Sequence, residues 1–239
     1  EIIKALIDEY DVVLEQFRPG VMDRLGIGYD VLKTINPKII YCSITGYGQT
    51  GPYKDRAGHD LNYLAISGIS SYSKRKNQPP IPQGIQIADI AGGSLHSVVG
   101  ILAAIHHRTN TGKGQMIDIS MTDCAFALNA MSGAGTLAGN DTPSAESHLL
   151  NGGTFYDYYQ TSDGRYLSIG SLEPKFFSGL CKLLELEHLL PLALKNSAQQ
   201  QIKDSFTLAF KQKTYVQWQE VFINFDLCVE PVLNLKEAS

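Results

Sequence analysis

Asp11-Val12-Val13-Leu14-Glu15-Gln16-Phe17, broken by Arg18-Pro19-Gly20, and then Lys38-Ile39-Ile40-Tyr41-Cys42-Ser43-Ile44 are two short apolar runs joined through a helical pattern. That pattern passes through Val31 and Leu32 and stops near Asn36-Pro37. Short apolar runs bounded by turn residues read as buried strands. A helix between two of them is the crossover of a parallel pair, because parallel strands cannot be joined by a tight turn. Upstream, Ile2, Ile3, Leu6 and Ile7 fall at helical spacing. The alternation predicts an α/β fold with a parallel sheet.

After Ile44 the chain enters a loop rich in Gly and Pro, Thr45-Gly46-Tyr47-Gly48-Gln49-Thr50-Gly51-Pro52, which delivers it to Gly58-His59-Asp60-Leu61-Asn62-Tyr63. Ligands of α/β sheets gather beyond the carboxyl ends of the strands, so this loop is well placed for a site. The polar stretch Ser70 to Gly84, with Pro79, Pro80 and Pro82, reads as a surface excursion. Ile90 to His107 then reads as a long helix, apolar nearly all round through Leu95, Val98, Val99, Leu102, Ala103 and Ile105. Such a helix is expected to be deeply buried. Thr111-Gly112-Lys113-Gly114 lacks the upstream glycine and the Ser/Thr of a phosphate loop and is read as a tight turn. A strand over Gln115–Ile119 and a helix over Met121–Ala130 follow.

The character changes after Gly139-Asn140-Asp141-Thr142-Pro143. Thr154 to Gln160 and Tyr166 to Gly170 flank Asp163-Gly164, the signal of a hairpin. Helical patterns cover Phe176–Leu186 and Gln201–Lys211. The reading is a large α/β domain over residues 1–145 and a smaller α+β domain over 146–239. The chain opens at Glu1 without Met, straight into an amphipathic pattern, and stops at Leu235-Lys236-Glu237-Ala238-Ser239. Both ends predict a fragment of a longer protein.

Composition sets the outer bounds. The 239 residues are 44% hydrophobic and 18% charged, with a formal charge of −4, as in an ordinary globular protein. That charge argues against a broad nucleic-acid surface. Cys42, Cys124, Cys181 and Cys228 lie far apart, without CxxC pairs or His at metal spacing, and read as reduced thiols of a cytoplasmic protein. There is no uninterrupted apolar run of about 18 residues, so no transmembrane helix is expected, and no signal peptide is expected either.

His59 and Asp89 are the residues whose chemistry stands out. Histidine can give and take protons near neutrality. Asp89, in Ala88-Asp89-Ile90-Ala91-Gly92-Gly93, precedes the long helix and could cap it. Gly92-Gly93 is costly in a first helical turn and allows close approach by a ligand or another segment. Free backbone N–H groups there could stabilise a developing negative charge. Glu173, in Ser171-Leu172-Glu173-Pro174, opens another helix, where both Glu and Pro are favoured. Arg18 and Arg24 flank a strand-to-helix turn and could bind phosphate or adenine.

Leu14-Glu15-Gln16-Phe17-Arg18-Pro19-Gly20, Gly46-Tyr47-Gly48-Gln49-Thr50-Gly51-Pro52, Gly58-His59-Asp60-Leu61-Asn62-Tyr63, Ala88-Asp89-Ile90-Ala91-Gly92-Gly93, Thr111-Gly112-Lys113-Gly114-Gln115 and Gly170-Ser171-Leu172-Glu173-Pro174 occur in this order. The series resembles the family III CoA-transferases (CaiB/BaiF), and within them the α-methylacyl-CoA racemases, over nearly the whole chain. The resemblance implies a Rossmann-like large domain, a smaller domain, an interlocked homodimer and an acyl-CoA thioester substrate. It also implies a leading segment and a C-terminal return that precede and follow this stretch. Transferases of the family use the aspartate matching Asp89 as a nucleophile and generally lack the Gly-His-Asp found at 58–60.

With His59, Asp89 and Glu173 together, the resemblance points to a racemase at C2 of 2-methylacyl-CoA thioesters. His59 and Asp89 would exchange protons with opposite faces, Glu173 would orient His59, and N–H groups at the start of the Asp89 helix would hold the enolate. Arg18 and Arg24 would bind the CoA portion, and Gly58, Asp60, Leu61, Asn62 and Tyr63 would line the site. No cofactor, metal, nucleic acid or membrane partner is implied; eukaryotic relatives would sit in peroxisomes or mitochondria. A CoA-transferase working through Asp89 and a non-catalytic acyl-CoA binding protein are the alternatives.

Overall fold

Ile40, Tyr41, Cys42 and Ser43 are buried one after another, the signature of a strand covered on both faces. In the computed structural model, which describes residues 1–139 and 142–239, they belong to the central strand of a three-stranded parallel sheet. The chain divides into two compact units, Glu1–Ser71 with Pro80–Thr142, and Tyr72–Pro79 with Pro143–Ser239. Asn140 and Asp141, in the predicted change of character, lie outside the described residues.

In chain order the first unit contains α1 (Ile2–Leu6), β1 (Val12–Glu15), α2 (Val21–Arg24), α3 (Tyr29–Ile35), β2 (Ile40–Thr45), α4 (Asp60–Ile66) and α5 (Ile69–Tyr72, its last residue in the second unit). A π-helix (Ala88–Leu95) runs straight into α6 (His96–Thr111), followed by β3 (Gln115–Ser120), α7 (Met121–Ala127) and α8 (Ala130–Leu137). The sheet order is β1-β2-β3, with Val12 opposite Ile40 and Ile40 opposite Gln115. β1 ends early because the Glu15 carboxylate accepts the Phe17 N–H at 2.7 Å, and Gly20, at φ 76°, turns the chain into α2. Ile7, Leu32, Ile39 and Tyr41 form one core cluster, with Tyr63, Leu64, Ala88 and Ala125 a second.

The long apolar helix departs from the expectation of burial all round. Leu95, Val98, Val99 and Leu102 are 52–65% exposed. The packed side is a row of small residues, Gly93, Ser97, Gly100 and Ala104, spaced four, three and four apart along one helical face. A Cβ on Gly100 would lie 2.9 Å from the Ile117 side chain, and one on Gly93 would crowd both Met121 and Ile44. The buried face is marked by smallness rather than hydrophobicity. Contrary to the reading by uninterrupted runs, the 24-residue stretch Ala88–Thr111 contains an 18-residue window with a mean hydropathy of 1.5, long and apolar enough to cross a bilayer. Its contact with Ile117 and Ile44 is that of a crossover helix lying on its sheet.

The second unit holds β4 (Asp157–Gln160), β5 (Tyr166–Ile169), α9 (Pro174–Leu183), α10 (Gln199–Phe210), α11 (Tyr215–Phe222) and β6 (Val229–Pro231), with antiparallel order β4-β5-β6. The hairpin turns at Gly164, φ 84°. Its core is aromatic, Phe155, Tyr159, Phe177, Phe206, Phe210, Trp218 and Phe222, and the Trp218 indole donates to the Phe210 carbonyl at 2.8 Å. The polar excursion is not free: Arg75 makes a bidentate pair with Asp157, at 2.6 Å for each bond, and also donates to Glu146. This pairing draws Tyr72–Pro79 into the second unit. α11, absent from the sequence reading, starts on a capping box in which Thr214 and Gln217 bond reciprocally.

Gly112 and Gly114 separate two reasons for glycine. Gly112 ends α6 at φ 71° with open space around it, whereas a Cβ on Gly114 would fall 2.0 Å from the Ile39 carbonyl oxygen. Gly112→Ala is expected to cost about 1–2 kcal/mol through its left-handed backbone. Gly114→Ala should cost roughly 3 kcal/mol or more, because backbone must move; urea denaturation of the two variants checks the order.

Candidate active site

The loop after β2 and the start of α4 are locked by one tyrosine. Tyr63 is buried, packs edge-on against Tyr47 with ring centroids 5.2 Å apart, and donates its hydroxyl to the Gly58 carbonyl at 2.5 Å. A Cβ on Gly46 would meet the Tyr63 ring at 2.3 Å, and one on Gly58 would meet Tyr63 at 2.7 Å and the Tyr47 hydroxyl at 2.8 Å. Both glycines are therefore required by the ring between them. Thr122, in the first turn of α7, ties down the same loop by donating through N–H and hydroxyl to the Gly46 carbonyl. His59, at the N-cap position of α4, follows directly on Gly58, and its N–H donates to the Asn62 side chain at 3.0 Å.

Asp89 reaches this place by a different route. It is the second residue of the π-helix rather than a cap in front of an α-helix, and it caps nothing. The wide turn is held by side chains that reach back five residues: Ser94 donates to the Asp89 carbonyl at 3.2 Å, and His96 Nδ1 lies 2.6 Å from the Ala91 carbonyl. Gly92 serves the approach of another segment, since a Cβ there would stand 2.9 Å from the Met121 carbonyl at the start of α7. The cap is Asp60, whose Oδ1 accepts the N–H of Ala88 at 2.6 Å and of Asp89 at 3.1 Å. These two N–H groups, expected to be open to a negative ligand, are thus already bonded.

His59 and Asp89 line one cavity of about 670 Å³ at the carboxyl end of β2, together with Arg18, Gly58, Asn62 and Tyr63. Arg24, Asp60 and Leu61 do not line it: Arg24 closes α2 on the surface, Asp60 turns to the π-helix, and Leu61 is exposed. Glu173 belongs to the second unit, at the N-cap position of α9, where its carbonyl accepts from Phe176 and Phe177. The cavity adds two cations that the sequence reading passed over, Lys54 and Arg56. Their signal was available as two basic residues in the loop just before His59. Arg56 rests over the Tyr53 ring at 4.2 Å.

Burial, and next to it the negative charge of Asp60, push the Asp89 carboxyl above the ordinary carboxylate range, while His59 opposes the shift. Burial likewise raises the Tyr63 phenol, so it stays protonated and keeps its bond to Gly58. Among the described residues no group of three His, Cys, Asp or Glu side chains could hold a metal ion. A histidine, a carboxyl displaced upward and three cations can together bind an anionic ligand and move protons within it. Tyr63→Phe should keep the fold and lower stability by about 1 kcal/mol in urea, the value of one hydrogen bond.

Similarity to known proteins extends along the whole chain. Residues 1–239 match CoA-transferase family III. The chain is 37% identical over 239 residues to alpha-methylacyl-CoA racemase of Homo sapiens, covering 99% of this chain and 63% of that protein. It is 30% identical over 244 residues to succinyl-CoA:glutarate CoA-transferase of Homo sapiens, covering 100% of this chain and 55% of that one. A CAIB/BAIF family protein from Brucella suis has a crystal structure that matches with a TM-score of 0.82 at 30% identity, over 99% of this chain and 64% of that one. The chain thus spans 55–64% of the length of these relatives. By its sequence from end to end and by its fold, the chain belongs to CoA-transferase family III.

Proposed function

We propose that the protein racemises 2-methylacyl-CoA thioesters at C2 by two-base proton transfer. The observation that carries the reading is the meeting of His59 and Asp89 in one cavity, with the Asp89 carboxyl displaced upward by burial. His59 takes the C2 proton, the electrons of that C–H bond pass to the thioester oxygen as an enolate, and Asp89 gives its proton to the opposite face of C2. In the other direction Asp89 is the base and protonated His59 the acid. A carboxyl held above its usual range suits this exchange, because acid and base work best when their affinities for the proton approach each other and the operating pH.

The enolate oxygen needs donors, and the N–H groups of Ala88 and Asp89 are taken by Asp60. Donors for that oxygen must come from the cavity's own lining, and such stabilisation is often the largest single contribution in reactions of this kind. Arg18, Lys54 and Arg56 offer three cations to the phosphates of CoA.

Hydrogen–deuterium exchange at C2 of a 2-methylacyl-CoA, followed in the full-length protein, tests the reading. His59→Ala and Asp89→Ala should each lower racemisation by about 10²–10⁴-fold. Loss of activity in Asp89→Ala, with CoA transfer between carboxylic acids intact in His59→Ala, would instead mark a transferase in which Asp89 attacks the acyl group. Thioester binding without exchange would leave only a binding protein.

A further inference from the structure

We infer that Asp60 is a positioning residue for Asp89, a single carboxylate that caps the helix carrying Asp89 and sets a fixed negative charge against it. The inference rests on the proposed roles of His59 and Asp89. Asp60 is the first residue of α4 and follows His59 directly, so its backbone is continuous with one member of the pair. Its Oδ1 holds the N–H of Asp89 itself and that of Ala88. The two proposed bases are therefore tied by one peptide bond, one side chain and two hydrogen bonds. Ala88 is 0% exposed, so water cannot replace the carboxylate at its N–H. The π-helix has no other side-chain cap, and its next N–H, from Ile90, returns to the Gln86 carbonyl.

Capping alone does not call for a charge, since Asn caps about as well as Asp. What the aspartate adds is a second carboxylate beside Asp89, whose like charge disfavours ionisation of Asp89. The other titratable or charged groups facing this cavity are His59 and Tyr63 from α4 and its cap, Tyr47 from the loop after β2, Arg18 from the turn after β1, and Lys54 and Arg56 from the loop before His59. Against these cations, the Asp89 carboxyl is still displaced upward, with Asp60 second only to burial as the cause. A raised carboxyl keeps its proton further up the pH scale. The direction of reaction that needs protonated Asp89 is then retained to higher pH and lost as pH rises through that displaced value.

Asp60→Asn and Asp60→Ala in the full-length protein separate the cap from the charge. Three readouts serve: titration of Asp89 by NMR of carboxyl-labelled aspartate, assigned with Asp89→Asn; the pH profile of C2 exchange; and urea stability. Asp60→Asn should keep stability near the parent's and move both the Asp89 titration and the matching limb of the profile to lower pH. Asp60→Ala should unfold at a lower urea concentration than the parent, through the lost cap. It should also lower kcat by up to about 10²-fold with KM little changed, as expected when a reacting group is displaced by an ångström. An Asp89 titration that stays in place in Asp60→Asn overturns the inference, and Asp60→Asn suffices if Asp60→Ala does not fold. If the parent exchanges no C2 hydrogen while the Asp89 titration still moves, the racemase reading falls and the hold of Asp60 on Asp89 stands.

Discussion

The first unit depends on how closely one helix can lie on its sheet. Gly93, Ser97, Gly100 and Ala104 give α6 and the preceding π-helix a nearly bare face, against which Ile117, Ile44 and Met121 come to contact distance. A larger side chain in that row would lift the helix and everything N-terminal to it. Asp89 stands at that N-terminal end, so its distance from the end of β2 is set by the absence of side chains one to three turns away. The loop leaving β2 is fixed in turn by Tyr63, wedged against Gly46 and Gly58. Two close approaches, one helix to sheet and one ring to loop, bring histidine and aspartate to the same cavity.

The electrostatic balance of that cavity follows from its backbone. A loop, a strand end and two helix starts converge there. Asp60 satisfies two N–H groups of the π-helix while adding a charge. Arg18, Lys54 and Arg56 tip the lining toward cations. The result suits a ligand that carries several negative charges at one end and a weakly acidic carbon at the other. This is the chemistry of an acyl-CoA thioester.

Much of this was legible in the residues themselves. The run Ile40–Thr45 announces a central parallel strand because burial on both faces leaves no polar alternation, Val12–Glu15 reads as its neighbour although Leu14 is exposed, and Asp163-Gly164 announces its hairpin. The face of α6 was not legible, because hydrophobic periodicity cannot mark a contact built from glycine, serine and alanine. The partnership of Asp60 with Ala88 and Asp89 joins segments 28 and 29 residues apart and leaves no local pattern. Asp60 accordingly read as a residue lining the site, and the N–H groups it holds read as free. The capping box of α11 was present as Thr214 and Gln217, and only the short polar lead-in Lys211-Gln212-Lys213 hid it.

The π-helix has a further consequence, one of chain length rather than residue type. An α-helix advances about 100° per residue, so one residue more or fewer turns everything upstream to another side. A π-turn accommodates an additional residue inside an otherwise α-helical run. Asp89 faces the cavity while Gly93 to Ala104 face the sheet because Ala88–Leu95 is wound in this wider form. Removal of a single residue there would restore an ordinary helix and swing the carboxyl away, though every side chain of the cavity remained. The aspartate's aim is thus written partly in the count of residues between it and the sheet, which a one-codon deletion would change even with Ser94 and His96 in place.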